Sequence, residues 1–392
     1  MDNDIRRNYE ETHGFIKFRL NLERVLYTLW ILFGAAESKC KHLSGIPLRP
    51  EKQEELNQIS LKKGVQATTA IEGNTLSLED VDLIYNGGRE NIPQSRQYQA
   101  QEIKNVLNAY NGIIQNINDH GICEVSLATL EEDNRQVLDG LELQDDIIPG
   151  EIRTYPVTIG NYYRGAPAED CRYLLDRLFA WLSEDWGLSA KYPLIEGILK
   201  AILGHIYIAW IHPFGDGNGR SARLLEFRLL MRAGVPLTAA HLLTTFYNDT
   251  RERYYDTLVQ SSRVENGELA FIHYAVEGFV DALDRQIGSI LEEQLDITWE
   301  NYIHEVCFGG KLTAALRRRR DLLLEISHFT RPLTVKELRY RVSDDVLKQY
   351  QGSTKMLMRD INYLLNAELV YKTTDGYLAA KDKMKAFLPL KI

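Results

Sequence analysis

Cysteine is scarce in this chain, and the four present (Cys40, Cys123, Cys171 and Cys307) are scattered without any C-x-x-C spacing. That pattern excludes a disulfide framework and a structural zinc site, and it makes a reducing compartment the expectation, so the chain is expected to be cytoplasmic. Long apolar runs are lacking as well. The longest, Val25 to Ala36, is interrupted by Thr28 and Gly34 and falls short of the roughly 20 residues that span a bilayer. The N-terminal MDNDIRRN is polar and has no apolar leader core, so no membrane partner is expected. Two phosphate signatures are also missing. There is no Gly-Lys-Ser/Thr of a P-loop, and the glycine cluster described below follows a helical pattern where a dinucleotide fingerprint needs a strand.

Positive charge is short overall, with a net charge of −9, which argues against a nucleic-acid partner for the chain as a whole. The distribution is uneven. From Lys311 to Ile392 there are 17 Lys+Arg against 9 Asp+Glu, a net +8, so residues 1–310 carry −17. Such asymmetry points to a basic interaction module at the C-terminus. With 392 residues, 44% hydrophobic and 26% charged, the chain has the composition of a globular protein of two or three domains.

What is present is concentrated in His212-Pro-Phe214-Gly-Asp216-Gly-Asn218-Gly-Arg220-Ser-Ala-Arg223. Upstream, Ile195, Ile198, Ile202, Ile206 and Trp210 recur at three- and four-residue steps, the spacing of one helix face. Downstream, Ser221 to Arg232 contains no Pro or Gly and places Leu224, Phe227 and Met231 on one stripe, so a second helix begins near Asn218 or Gly219. Glycines 215, 217 and 219 lie between. Converging N–H groups and the positive end of a helix dipole make this junction an anion site. Arg220 and Arg223 occupy the first turn, where each cation is disfavoured by about 0.3 to 1 kcal/mol, and at i and i+3 they face the same way. A polyphosphate would satisfy both. Asp216 could hold a bridging Mg²⁺, and His212 could take a proton from an incoming hydroxyl. A glycine-rich interhelical turn with a core histidine is the plainer reading of the same residues.

A second carboxylate stands out earlier in the chain. The helical pattern from Glu51 to Ile71 ends at Thr68-Thr-Ala-Ile-Glu72-Gly73-Asn74, and Gly73 is the residue expected just past a helix end. Glu72 then sits at the negative end of the dipole and needs a cationic partner.

At this point the sequence resembles a known family. HPFGDGNGRSAR fits the Fic-domain motif HxFx(D/E)GNGRxxR at every specified position. The resemblance implies a protein adenylyltransferase that moves AMP from ATP to a Ser, Thr or Tyr hydroxyl of a target protein, or of itself, and releases pyrophosphate. By motif position, His212 would be the general base and Asp216 the Mg²⁺ ligand. Gly217, Asn218 and Gly219 would line the phosphate nest. Arg220 would bind phosphate, Arg223 would reach the ATP γ-phosphate, and Phe214 would be a core anchor. Relatives that transfer phosphate carry Lys where this chain has Gly219, which argues for AMP as the transferred group. Thr68, Glu72 and Gly73 match the family's inhibitory signature (S/T)xxxE(G/N), which implies that Glu72 pairs with Arg223 and blocks the γ-phosphate position. Two alternatives stay open: a de-AMPylating hydrolase in which Glu72 positions water, and a DNA-binding regulator whose core senses nucleotide.

The remaining expectations follow the chain. Residues 15–36 read as one helix with Phe18, Leu22, Val25, Leu26, Leu29 and Phe33 on its core face. Ser77 opens a short helix through Tyr85, and Gln97 to Ile117 forms another. Val157-Thr158-Ile159-Gly160 suits a strand or hairpin; in Fic proteins the equivalent flap aligns the target polypeptide, so Val157, Thr158 and Ile159 are docking candidates. Asn248, Tyr254 and Tyr255 fall where relatives present groups to the nucleotide. Asp170 to Trp186 and Tyr192 to Trp210 are helical, Phe271 to Leu291 closes the core, and Gly309-Gly310 marks a boundary. Leu312 to Ile326, Val335 to Val342 and Thr354 to Asn366 are helices followed by a hairpin, an arrangement that resembles a winged helix. Its Lys348, Lys355 and Arg359 could meet DNA phosphates, or the module could serve dimer or partner contact. The expected fold is therefore mainly α: an N-terminal helical region with the inhibitory motif (1–100), a Fic-type helical core with a small β-hairpin flap (101–300) and a C-terminal winged-helix domain (309–392), with a homodimer possible.

Overall fold

The computed structural model describes residues 7–121, 123–159, 163–264, 266–307 and 313–385. The chain divides into two compact units, Met1–Arg285 and Gln286–Ile392. The first contains α1 (Asn8–Thr12), α2 (Tyr27–Gly45), α3 (Pro50–Ile71), α4 (Leu78–Tyr85), α5 (Gln97–His120) and α6 (Leu127–Val137). A two-stranded antiparallel sheet follows, β1 (Thr158–Ile159) with β2 (Tyr163–Arg164), and then come α7 (Ala168–Ser183), α8 (Pro193–Ile211) and α9 (Asn218–Arg232). The rest of the unit is α10 (Leu237–Ala240), α11 (Leu242–Asp249), α12 (Arg251–Ser261) and the start of α13 (Glu268–Tyr302). The result is mainly helical.

The core of the first unit is built on α8. Ile198, Ile202, Ile206, Ile208 and Trp210 are all buried, and with them the polar Glu196 and His205, as expected of a helix enclosed on most sides. It is the one helix among the described residues long and apolar enough to cross a membrane, and most of it lies inside the protein. Its most extensive neighbour is α9, with α3 packed on both α9 and α11. Local signals set several ends. Pro50 starts α3 at the position where its missing N–H costs nothing. Ser77 and Asp80 form a reciprocal capping box at α4.

The structure corrects the expected helix over 15–36: α2 begins at Tyr27, and the preceding chain is irregular apart from a 3₁₀ turn at Leu22–Arg24. The apolar spacing there serves another purpose. Phe18 reaches from this irregular segment to the rings of Trp181 (6.2 Å) and Tyr207 (5.4 Å), and the Tyr207 hydroxyl donates to the Lys17 carbonyl. Leu26 is exposed, together with Tyr27 and Ile31. Helix α6 was not expected at all.

The second unit contains the remainder of α13, then α14 (Ala314–Ser327), α15 (Val335–Arg341), α16 (Asp344–Lys348), α17 (Thr354–Asn366) and the antiparallel pair β3 (Val370–Thr373) and β4 (Gly376–Ala379). Leu333 forms an isolated bridge to Tyr377, beside the hairpin. Leu323, Ile326, Leu338, Ile361 and Leu364 fill its core. Asp360, fully buried, accepts from Arg318 Nε (2.7 Å) and Arg319 Nε (2.9 Å). The expected boundary at Gly309-Gly310 lies outside the described residues, as does Gly160.

Candidate active site

Helix α8 stops because His212 turns its backbone into the left-handed region (φ 51°, ψ 60°) while its N–H still donates to Ile208 O at 2.8 Å. A non-glycine residue in that region costs about 1–2 kcal/mol. Arg153 holds it there. This buried guanidinium donates to His212 O (2.7 Å), Tyr155 O (2.6 Å) and Ala166 O (2.5 Å), and the Arg153 N–H donates to Pro213 O (2.9 Å).

The turn is fastened from two further sides. Asn218 Oδ1 accepts from Phe214 N (2.9 Å) and its Nδ2 donates to Phe214 O (2.8 Å), while the Phe214 ring is buried. The Asn218 side chain is therefore used up within the turn, leaving only its backbone N–H for a ligand. From α6, Asn134 Nδ2 donates to Asp216 O (2.9 Å) and Ser221 Oγ (3.2 Å), and its Oδ1 accepts from Gly150 N (2.9 Å). Gly217, at φ 75°, passes so close that a Cβ would lie 2.9 Å from Asn134 Nδ2. The first intrahelical bond of α9 is Ser221 N to Gly217 O. The N–H groups of Asn218, Gly219 and Arg220 consequently have no acceptor among the described residues, a preformed anion cradle.

Both arginines of the first turn have found carboxylates. Arg223, 1% exposed at its side chain, donates from Nη2 to Glu72 Oε1 (2.5 Å) and Thr68 O (3.0 Å), and from Nε to Thr68 Oγ1 (2.6 Å). Glu72 caps the C-terminus of α3, and Gly73 beyond it takes φ 100°. Burial pushes the Glu72 carboxyl up, but the Arg223 charge and hydrogen bond, helped by Arg220, hold it below the usual carboxylate range. A Cβ on Gly219 would overlap Glu72 Oε1, so only glycine at this position lets the carboxylate rest on the start of α9.

Arg220 donates to Glu102 Oε1 (3.0 Å) and Asp216 Oδ1 (3.2 Å), while its buried Nε lacks a partner. Glu102 in turn accepts from Asn74 Nδ2 (3.0 Å), two residues past Glu72. Asp216 Oδ1 also accepts from Gly217 N (2.5 Å), and Oδ2 makes no hydrogen bond among the described residues in a side chain 41% exposed. One open carboxylate oxygen fits a Mg²⁺ that takes the rest of its shell from water and phosphate. No group of three His, Cys, Asp or Glu able to form a protein-only metal cage occurs among the described residues.

Glu72, His212, Gly219 and Arg223 line one cleft with Tyr254 and Tyr255. Its volume of about 120 Å³ is below the 300–1,000 Å³ typical of small-molecule sites. Tyr255 donates its hydroxyl to Ile71 O (3.2 Å), and Tyr254 meets His205 Nε2 (2.9 Å). Ile159 reaches the cleft from β1; Val157, Thr158 and Asn248 do not line it. Burial, with a contribution from Arg153, pushes the His212 pKa down to about 4 against opposing pulls from the Ala209 carbonyl, Glu72 and Asp216. Its imidazole is neutral at physiological pH and able to accept a proton.

Asn74, Glu102, Asn134 and Arg153 were not singled out in the sequence. Ser126 followed three residues later by Thr129, the capping box of α6, was the available signal for Asn134; the others carry none.

Residues 124–230 match the Fic/DOC family. The chain is 31% identical over 228 residues to protein adenylyltransferase fic-1 of Caenorhabditis elegans, covering 58% of this chain and 41% of that protein. It is 26% identical over 249 residues to protein adenylyltransferase Fic of Culex quinquefasciatus, covering 64% and 42%. The chain thus spans less than half the length of these relatives. Among solved structures, a Fic family protein from Desulfovibrio desulfuricans G20 superposes with TM-score 0.55 at 21% identity, over 94% of this chain and 99% of that one, a likeness of fold. Fic-1 from C. elegans, residues 134–508, does so with TM-score 0.54 at 25% identity, over 68% and 74%.

Proposed function

We propose, from the premise that this chain is a Fic/DOC family protein, that it transfers AMP from ATP to a hydroxyl side chain of a target protein and that Glu72 restrains the transfer. One observation carries the reading: Gly219 of the N–H cradle, the neutral His212 and the buried Arg223 line one cleft, and Glu72 occupies Arg223.

In the transfer, the target hydroxyl oxygen attacks the α-phosphorus of ATP while His212 accepts the hydroxyl proton, and the bond to the β-phosphate oxygen breaks to release pyrophosphate. The N–H groups of Asn218, Gly219 and Arg220 stabilise negative charge on the phosphates without reorganising. Asp216 would hold Mg²⁺, which supplies further charge neutralisation when bound. Arg153 keeps His212 in the backbone conformation that aims it at the cleft. Arg223 is the γ-phosphate partner, so Glu72 and ATP compete for it. Ile159 supports a role for the flap in docking the target, since it reaches the cleft. In the second unit, the sequence α14, Leu333 bridge, α15, α17 and hairpin, with the short α16 inserted before α17, supports reading it as a winged helix.

The hydrolase alternative is disfavoured by the electrostatics of Glu72. A general base works best with a pKa near the operating pH, and Arg223 holds this carboxyl low.

Incubating wild type, Glu72→Gly and Glu72→Gly/His212→Ala with lysate and ATP labelled on the α-phosphate tests the proposal. We expect weak labelling of protein by wild type, at least tenfold more by Glu72→Gly, and none by the double variant. Equal labelling by all three would overturn the transferase reading. Faster AMP release from a labelled target by wild type than by Glu72→Gly would favour the hydrolase.

A further inference from the structure

The second unit carries an exposed helix face whose chemistry is independent of nucleotide transfer. In α17, Leu357, Asp360, Ile361 and Leu364 are buried. At 100° per residue, Lys355, Arg359, Asn362 and Asn366 fall within an arc of about 60° on the opposite side, and all four are exposed. Lys355, Arg359 and Asn362 make no side-chain hydrogen bond or ion pair among the described residues. Arg317, Lys336, Arg341, Lys372 and Lys385 share this among the described residues, whereas Arg318 and Arg319 are bound to Asp360, Arg331 to Glu337, Lys348 to Asp345 and Lys383 to Glu368; what distinguishes Lys355 and Arg359 is that they share one helix face. Asp360 is the sole carboxylate of α17 and is buried, so the exposed face holds positive charge with nothing to offset it. Lys355 and Arg359 thus place two charges of the segment's surplus of +8 over residues 311–392 on this face.

The surroundings extend the same surface. Arg339, exposed on α15, donates to Thr354 Oγ1 (3.1 Å) at the first residue of α17, placing another guanidinium beside the helix start. Lys372 is exposed on β3.

We propose that this face binds duplex DNA, with α17 in the major groove and Arg339 and Lys372 on flanking phosphates. Charge complementarity selects a polyanion. The side-chain types narrow it further: Lys and Arg pair with guanine O6 and N7, and Asn pairs with adenine N6 and N7, all major-groove edges. A helix fits the major groove of B-form DNA but not the deep, narrow one of A-form RNA. Lys348, engaged with Asp345 on α16, is not part of the surface.

The test uses the full chain and a fluorescent random-sequence DNA duplex, read by anisotropy between 50 and 200 mM salt. On random-sequence DNA, Lys355 and Arg359 meet phosphates alongside Arg339 and Lys372, and four such contacts predict a slope of about −3.6 in log K against log salt, so affinity falls roughly 150-fold over that range. Lys355→Ala/Arg359→Ala should weaken binding at least tenfold at 50 mM salt and flatten the slope by about 1.8. Lys348→Ala should bind like wild type. AMP transfer by the double variant should match wild type, which separates failure here from failure of the transferase reading. Any one of four outcomes overturns the proposal: no binding at 50 mM salt with protein at about 50 μM, towards the weak end of ordinary non-specific affinity; a double variant that binds like wild type; loss of binding in Lys348→Ala; or duplex RNA or polyglutamate binding as tightly as DNA.

Discussion

Removing Glu72 should cost stability in the absence of nucleotide and return more than that in its presence. Arg223 has three hydrogen bonds, two to Thr68 oxygens and one to Glu72, and Glu72→Gly leaves the buried guanidinium with Thr68 alone. Breaking a fully buried ion pair costs about 3–5 kcal/mol. The Glu72 side chain is 31% exposed, so water reaches the gap and screens the loss, and the expected cost is about 1–2 kcal/mol. For a unit of this size that lowers Tm by about 2–4 °C. Nucleotide at a hundred times its Kd stabilises by about 2.7 kcal/mol, and in wild type the displacement of Glu72 must be subtracted from that gain. Scanning calorimetry of Glu72→Gly and wild type, both carrying His212→Ala to prevent turnover, with and without magnesium ATP, measures the difference directly. The variant should melt lower without ATP and show the larger ATP-induced rise, with Glu72→Gln in between because it keeps an acceptor oxygen. AMP, which has no γ-phosphate, should shift all three alike. If the variant is as stable as the parent and ATP raises both equally, Glu72 and ATP do not compete for Arg223.

Two predictions concern pH. With His212 lowered to about 4, the imidazole stays unprotonated well into acid, so kcat/KM of Glu72→Gly should stay flat from pH 8 to about 5 and fall only towards 4. An acid limb centred near 6.5, the ordinary histidine value, would refute the lowering of His212 by burial, and a flat profile through pH 4 would remove it as the base. His241, buried with both ring nitrogens unpartnered between Phe227 and Tyr110 (ring centroids 4.7 Å from each), is lowered to about 3 by burial. Its folded pKa lies below the unfolded value of about 6.5, so the unfolded chain protonates first and stability falls with pH below 6.5 by about 1.4 kcal/mol per pH step. Between pH 7 and 5 that amounts to about 2 kcal/mol, and His241→Phe should remove most of it in urea unfolding midpoints; an unchanged pH slope would show that the ring is protonated where it lies.

The junction of α8 and α9 was legible in sequence because its signals are local. Isoleucines at helical spacing, glycines at a helix start and arginines in an unfavourable first turn each carry meaning within a few residues. Glu72 was legible through the same dipole argument, and its bond to Arg223 spans 151 positions only because the shared motif named both ends. Partners without such a motif were silent. Arg153 looks like any surface arginine until four carbonyl oxygens are seen around it, and Glu102 lies mid-helix in α5 with nothing local to show that it would meet Arg220. The misread helix over 15–36 has the converse cause: Phe18 and Leu26 kept helical spacing, but one packs on Tyr207 from irregular chain and the other faces solvent. Hydrophobic spacing records which residues need burial, not which backbone delivers them.

The occupied arginines alter how restraint at this site is to be understood. The first turn of α9 presents two guanidiniums, a feature that by itself demands an anion, yet Glu72, Glu102 and Asp216 together supply three carboxylates. The resting site is therefore already oversupplied with negative charge, and an arriving triphosphate meets carboxylates before it meets free cations. Shape and charge act together here: Glu72 sits where a Cβ of Gly219 would be, and its low pKa keeps it charged at any physiological pH. Protonation at mildly acidic pH is then ruled out as a release mechanism, because Arg223 holds the proton off. On the proposed restraint, release would be mechanical, by drawing the C-terminus of α3 away from α9. Besides the Arg223 bonds to Thr68, the Tyr255 hydroxyl on Ile71 and the Asn74 amide on Glu102 and Gln99 O resist such movement, so on the proposed restraint an activator would act on these bonds or on the packing of α3 behind them.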